Sequence, residues 1–229
     1  LPERNMHHTI GGYEGTDLEI FINRITSQEE ISAAAPRVYG GGLLSSGEET
    51  QAALLMGVDP DREPRVTTLL SRLVSGRTLV AGANEILVGD EMAEQLGAVL
   101  GDEIVVVAPS SDGSLGNDLF TLVGILDTGI PAIDQNYALL ALPDLQFLMA
   151  MDPTRIHEVV ITVGNAKDSP RIAGSLGEFL SDSELPVQVS SWTDLRPELA
   201  EMVSLMDASH FIIVIVIFGM AAFGVANTM

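Results

Sequence analysis

The chain has 229 residues, with 32 Asp plus Glu against 11 Lys plus Arg, a formal net charge of -21, no cysteine and 46% hydrophobic residues. That apolar content allows one sizeable domain or two small ones and excludes a disordered tail. With Lys167 as its single lysine, the chain has no cationic stripe for phosphate backbones, which argues against nucleic-acid binding; without cysteine it has no disulfide scaffold, thiolate zinc site or cysteine nucleophile.

Taken in chain order, His7 and His8 come first. Adjacent histidines on an extended segment point to opposite sides, and no spaced partner completes a tetrahedral set, so a solvated segment is expected. Asp17 to Ile22 (DLEIFI) alternates like a strand, and Ser27 with Glu30 resembles a capping box for a helix from Gln28 to Ala35, ended by Pro36. Two strands, Arg37 to Leu44 and Gln51 to Val58, are joined by the turn Ser45 to Glu49, and Gly40-Gly41-Gly42 marks a bulge or close backbone approach. Asp59, Asp61 and Glu63 do not form a calcium loop, because Pro64 and Leu70 stand where Gly and a bidentate Glu are needed.

From about Gly76 the texture becomes β-rich. Glu85 to Val88 reads as a strand, Asp90 to Leu96 as a short helix closed by Gly97, and Glu103 to Ala108 and Leu119 to Leu126 as strands. Between the last two lies a loop of turn formers, Pro109, Ser110, Ser111, Asp112, Gly113, Ser114, Leu115, Gly116, Asn117 and Asp118, the candidate partner-binding loop. Tyr137 to Leu142 adds a strand, and Pro143 starts a helix through Met149. The chain then returns to strand His157 to Val163, helix Ser169 to Leu180 and strand Pro186 to Ser190. Two strand-helix-strand units at opposite ends predict an α+β domain with a split βαβ sheet.

Thr193 or Asp194 is expected to cap a helix with Pro197 in its first turn, and Leu195, Leu199, Met202 and Met206 form one apolar stripe along it. From Glu198 to Phe218 there is neither Gly nor Pro, which predicts a continuous rod into the last segment, Phe211 to Met229. That segment holds no charge and, at roughly 28 Å long against a hydrocarbon core of about 30 Å, reads as a membrane helix. Ala222 and Ala226, four apart, would let a neighbouring helix approach. An apolar run ending on the final residue and a start at Leu1 without a leader read as a fragment.

No catalytic or cofactor motif is present. The chain lacks a phosphate loop and a dinucleotide fingerprint, Ser45-Ser46-Gly47 is not a nucleophile elbow, and His157 reads as a packed or edge residue.

The succession Ile86-Leu87-Val88-Gly89, Ala93, Leu96-Gly97, Gly101-Asp102, Phe120 to Ile125 and Thr128-Gly129, with Met56 to Pro60 and the closing Gly224 to Met229, resembles the extracytoplasmic core domain of MacB-like and FtsX-like ABC transporter permeases. The stretch Leu43 to Pro60 points most to the lipoprotein-releasing LolC/LolE branch. The resemblance implies a porter-like subdomain (1–75 and 155–192) interrupted by a β-rich sabre-like subdomain (76–154), a stalk helix (193–210) and the start of a second transmembrane helix (211–229). It also implies a noncatalytic role without cofactor. The domain would couple ATP-driven helix motion to extrusion or release of a substrate such as a lipoprotein, at the bacterial inner membrane with residues 1–210 outside the cytoplasm. Implied partners are a separate ATP-binding subunit or segment, a second permease copy or paralogue, and a periplasmic carrier or adaptor. Alternatives are an FtsX-like module that activates cell-wall hydrolases, macrolide or peptide efflux, and, from another class, a membrane-anchored hydrolase.

Overall fold

The computed structural model describes residues 9–11, 17–181, 187–206 and 209. They fall within two compact units, Glu3–Gly164 and Asn165–Met229.

The first unit is built on one long strand. Helix α1 (Leu18–Thr26) precedes β1 (Ile31–Ser46), which turns tightly into β2 (Glu49–Val58). Then come α2 (Glu63–Val66), β3 (Leu73–Gly76), β4 (Glu85–Gly89), α3 (Asp90–Leu96), β5 (Glu103–Pro109), β6 (Leu115–Leu126), α4 (Pro131–Asp134), β7 (Tyr137–Ala141), α5 (Leu142–Leu148) and β8 (Glu158–Val163). Pairing runs β1–β2, β2–β7, β7–β4, β4–β6, β6–β5 and β5–β1, so six strands close into a ring. Strand β1 makes closure possible because its outer edge is shared: residues 31–37 pair with β8 and Leu43 to Ser45 pair with β5, while Arg37 to Ser46 pair with β2 on the other edge. At Gly42 an added Cβ would sit 2.8 Å from the Val107 carbonyl oxygen, so the close approach expected of the glycine run is real and is what brings β5 against β1.

Alternation within the strands sends Leu44, Leu55, Ile86, Val88, Ile104, Val106, Phe120, Leu122 and Leu140 into one core, where α3 adds Met92 and Leu96 and α5 adds Leu142, Leu145 and Leu148. A second cluster, including Tyr39, Met56, Val58, Leu87, Leu126 and Leu139, is covered by Leu70 and Leu79. Near-continuous burial of β4 and β7 follows from this double cover.

Several expectations hold: the strand at 85–89, the helix 90–96 closed by Gly97 in the left-handed region, the β1–β2 hairpin, β7, α5 and β8. Others are corrected. Residues 18–26 are helix rather than strand, since Asp17 Oδ1 accepts the Ile20 N–H at 3.1 Å as an N-cap and Phe21, Ile22 and Ile25 share one buried face. The expected helix over 28–35 is the start of β1, where Ala33, Ala34 and Ala35 are buried and Pro36 lies in register with Val159. Burial between neighbours has overridden alanine's helix propensity. The strand-helix-strand order expected at the first end is therefore not formed, and strands drawn from both 31–58 and 85–141 share the ring.

In the second unit α6 (Ser169–Ser181) carries the buried stripe Ile172, Leu176 and Leu180, and Trp192 Nε1, at the start of α7 (Trp192–Leu195), donates to the Ala166 carbonyl at 2.9 Å. Val187 to Ser190 is not a strand, and Pro186 lies outside the described residues. Ser191, not Thr193 or Asp194, caps α7 through a capping box with Asp194. Pro197 disfavours helical backbone at Arg196, which is non-helical at φ -141° and ψ 68°, and a separate helical run opens at 197–206. Leu195 thus belongs to α7, while Leu199, Met202 and Met206 lie on the run, all exposed. Among the described residues no helix is long and apolar enough to cross a membrane; the run 211–229, with Ala222 and Ala226, lies outside them, as do His7, His8 and His210.

Candidate partner-binding surface

The loop expected over Pro109 to Asp118 is mostly strand. Pairing of β5 with β6 continues from Glu103↔Thr121 to Pro109↔Leu115, taking in Val107↔Asn117 and Val106↔Asp118, so only Ser110 to Ser114 form the tip. Gly116 and Asn117 fit because neither interrupts the ladder. Within the tip the Ser110 N–H donates to the Ser114 carbonyl at 2.9 Å, and Asp112 Oδ1 accepts from the Ser114 N–H at 2.9 Å and its hydroxyl at 2.6 Å. The Ser114 hydroxyl and backbone donors hold the Asp112 carboxyl below the usual carboxylate range.

This tip is anchored rather than free. The Ser111 N–H donates to the Met149 carbonyl at 2.8 Å, its hydroxyl to the Ala150 carbonyl at 2.6 Å, and the Ser110 hydroxyl to the Leu148 carbonyl at 3.3 Å. These acceptors lie at the C-terminal end of α5, where helix carbonyls need partners. An added Cβ on Gly116 would overlap the Leu148 carbonyl oxygen, so β6 and α5 meet in backbone contact there. The turn that follows is equally constrained: Ala150 holds φ 48°, the Met151 N–H donates to the Gln146 carbonyl at 2.8 Å, and Gln146 Nε2 donates to the carbonyls of Pro153 and Arg155 at 3.0 and 2.9 Å. Asp152 accepts the Thr154 hydroxyl and N–H, which also hold its carboxyl low.

Two polar clusters frame the ring elsewhere. Arg37 on β1 donates to Glu63 on α2 through Nε at 3.1 Å and through Nη2, Thr67 Oγ1 donates to the same carboxylate at 2.7 Å, and the Tyr39 hydroxyl donates to Glu158 on β8 at 2.5 Å. Burial works most strongly against the Arg37 charge, but the hydrogen bond to Glu63 and the interactions with Glu63 and Tyr39 together outweigh it, so the guanidinium is held above its ordinary range. The second cluster joins Arg77 to Glu85, whose carboxyl that guanidinium lowers, with Asp144 nearby. Burial raises the Asp144 carboxyl, against backbone donors from Gly82 and Asn84, and its Oδ2 is buried without a partner. Among the described residues no group of three or more His, Asp or Glu is arranged to hold a metal ion. Glu63 turns to Arg37 and Asp59 caps its own turn by accepting the Asp61 and Arg62 N–H groups at 3.0 and 3.1 Å. His157 Nδ1 accepts the Tyr39 N–H at 3.1 Å, a packed role on the strand edge.

The structure brings Ser110, Ser111 and Gly116 against 148–150, a junction that composition of the loop does not announce. It also exposes Phe147 beside them. A signal was present, because Leu142, Leu145 and Leu148 form the buried stripe of α5 and Phe147 falls off it.

The sequence model of the MacB-like periplasmic core domain matches residues 4–179. The chain belongs to that family. It is 26% identical over 233 residues to the lipoprotein-releasing system transmembrane protein LolC of Neisseria meningitidis, covering 97% of this chain and 55% of the relative. To LolC of Xylella fastidiosa strain Temecula1 it is 28% identical over 238 residues, covering 100% of this chain and 56% of the relative. The chain thus spans about half the length of the curated relatives it matches. Among solved structures, the extracellular domain of the noncanonical ABC-type transporter YknZ from Gram-positive bacteria superposes with a TM-score of 0.56 at 17% identity, covering 80% of this chain and 100% of that one. The periplasmic region of MacB from Actinobacillus actinomycetemcomitans gives 0.52 at 17% identity, covering 76% and 81%. The mixed helix and strand architecture is therefore that of these domains. The MacB-like domain described here is a periplasmic domain of an inner-membrane ABC transporter permease of the MacB and LolC type, as the residue succession from Ile86 to Gly129 implied.

Proposed function

We propose that this domain is the mechanical output of a permease that releases lipoproteins from the inner membrane, working with a separate ATP-binding subunit and a second permease copy or paralogue. The observation that carries the reading is the likeness to LolC over essentially the whole chain. The fold supplies what the role requires. A closed six-stranded ring has no free edges within the ring and moves as a body, and the helical run 197–206, with its exposed Leu199, Met202 and Met206, stands immediately before the apolar run 211–229. ATP-driven closure of the cytoplasmic partner would reach the domain through that helix. The porter-like and sabre-like division is on this reading functional: β1 and β8 serve the moving part, and the anchored hairpin serves the hand-over to a periplasmic carrier.

The test replaces residues 31–163 by a short linker in the full permease, reconstituted with its ATP-binding subunit and a lipid-anchored cargo. Hydrolysis is expected to persist while cargo stays in the membrane. Release at the normal rate without the domain would contradict the proposal.

A further inference from the structure

The chain holds nine methionines and no cysteine, so its softest nucleophile is a thioether and no thiol of its own competes for an oxidant. Burial sorts those methionines. Met56, Met92 and Met151 are 8% exposed or less, and Met149 packs against the core of the ring. Met202 and Met206 are each 57% exposed, and among the described methionines only they are so open. Their spacing of four puts both thioethers on one side of the helical run 197–206, in one stripe with Leu199.

Every residue of that run except Ala200 is exposed. Little packing supports it, so the helix propensity of its own residues carries much of its stability, and methionine is among the stronger helix formers. Oxidation removes that contribution. A sulfoxide is polar and chiral where the thioether was apolar and flexible, and its oxygen is an acceptor that competes with the helical ladder for backbone N–H groups. We propose that Met202 and Met206 form a redox-sensitive modification site, through which an uncharged oxidant of the hydrogen peroxide class loosens the helical run and uncouples hydrolysis from release. A sulfur lone pair attacks one peroxide oxygen, and the S–O bond forms as the O–O bond breaks. The hydroxide set free takes the proton of the attacking hydroxyl and leaves as water; the thioether loses two electrons and the peroxide gains them. Glu198 and Glu201, both exposed, flank the pair, which favours an uncharged oxidant over an anionic one.

The inference rests on the permease reading, which puts the run in the periplasm, an oxidising compartment. Its test exposes the full permease, reconstituted with its ATP-binding subunit and a lipid-anchored cargo, briefly to hydrogen peroxide, and locates each sulfoxide by peptide mass mapping. Met202 and Met206 are expected to be oxidised before Met56, Met92 and Met151. Amide exchange over residues 198–206 should then rise, and the ATP hydrolysed per lipoprotein released should rise several-fold. Methionine sulfoxide reductases for both epimers should restore the starting values. The Met202→Leu, Met206→Leu variant keeps the size of both side chains and, whatever its starting ratio, should not change on treatment. Sulfoxides that form no sooner at 202 and 206 than at the buried positions, exchange or ratio unchanged once both have formed, or a response that survives in the leucine variant would overturn the inference. An untreated permease that hydrolyses ATP without releasing lipoprotein contradicts the mechanical reading instead, and the order of oxidation and the amide exchange then decide the fate of the methionine pair by themselves.

Discussion

Arg37 and Glu63 share a site almost closed to water, where Thr67 completes the carboxylate's hydrogen bonds. Such a pair adds little over apolar residues of the same shape, but removing one member strands the other. Arg37→Met is therefore expected to cost about 3–5 kcal/mol, and denaturant titration should show α2 and β8 loosening together, because Arg37 also reaches Tyr39, whose hydroxyl holds Glu158. A loss within measurement error would show that Glu63 finds another partner. Asp144 gives the opposite sign. Burial, aided by Glu85 and Asp118, raises its carboxyl above the ordinary value, so its contribution to stability is present below the unfolded value and is lost as pH rises through the folded one. Asp144→Asn keeps an acceptor for the Gly82 and Asn84 N–H groups and removes the charge. At neutral pH the variant should be more stable than the parent, with the difference vanishing below about pH 4, where both side chains are neutral; a variant less stable at neutral pH would contradict this assignment.

At the scale of elements, the hairpin reverses a simple expectation. A ten-residue run of turn formers reads as a tolerant tip, yet its strands extend to Pro109 and Leu115, and Ser110 and Ser111 tie the five-residue tip to 148–150. Shortening Ser110 to Ser114 to a two-residue turn should cost about 1–3 kcal/mol, near 1 kcal/mol per lost hydrogen bond, and should raise hydrogen exchange at residues 149–151. Unchanged stability and exchange would mean the anchoring bonds contribute nothing. What the residues disclose in advance follows the same logic of local against distant causes. Strands β4 and β7 and helix α3 could be read because their apolar runs, Gly97 and flanking polar turns are local signals. Helix α1 was legible in Asp17 and in the spacing of Phe21, Ile22 and Ile25, but a six-residue alternation competed with it. The alanines of β1 were not legible, since their conformation is decided by β8, more than a hundred residues away. Leu199, Met202 and Met206 keep their helical register, while Leu195 is separated from them by the non-helical backbone at Arg196 that precedes Pro197.

For the whole molecule, ring closure depends on pairings as distant as β1 with β5 and β2 with β7, which no window along the chain contains. The apolar core is shared by every strand of the ring, and its burial has to outweigh the self-repulsion of a chain whose net charge is -21. On this account the domain itself does no chemistry, and purified chain should show neither ATP binding in equilibrium titration nor turnover, for want of a phosphate loop and a lysine placed to reach phosphates; nucleotide turnover abolished by a point change within the chain would contradict that. On the proposed reading its work is to move, and the helical run 197–206 is the element through which that motion would pass. Ser204 lies inside that run, exposed, and a proline there removes one helical hydrogen bond and kinks the backbone at about 3 kcal/mol, a local cost outside the ring. The decisive measurement is the ratio of ATP hydrolysed to lipoprotein released by the full permease carrying Ser204→Pro. The account predicts intact insertion, a folded ring and near-normal hydrolysis with release severely reduced, so that the ratio rises several-fold; release in normal proportion to hydrolysis would show that the helix is only a tether.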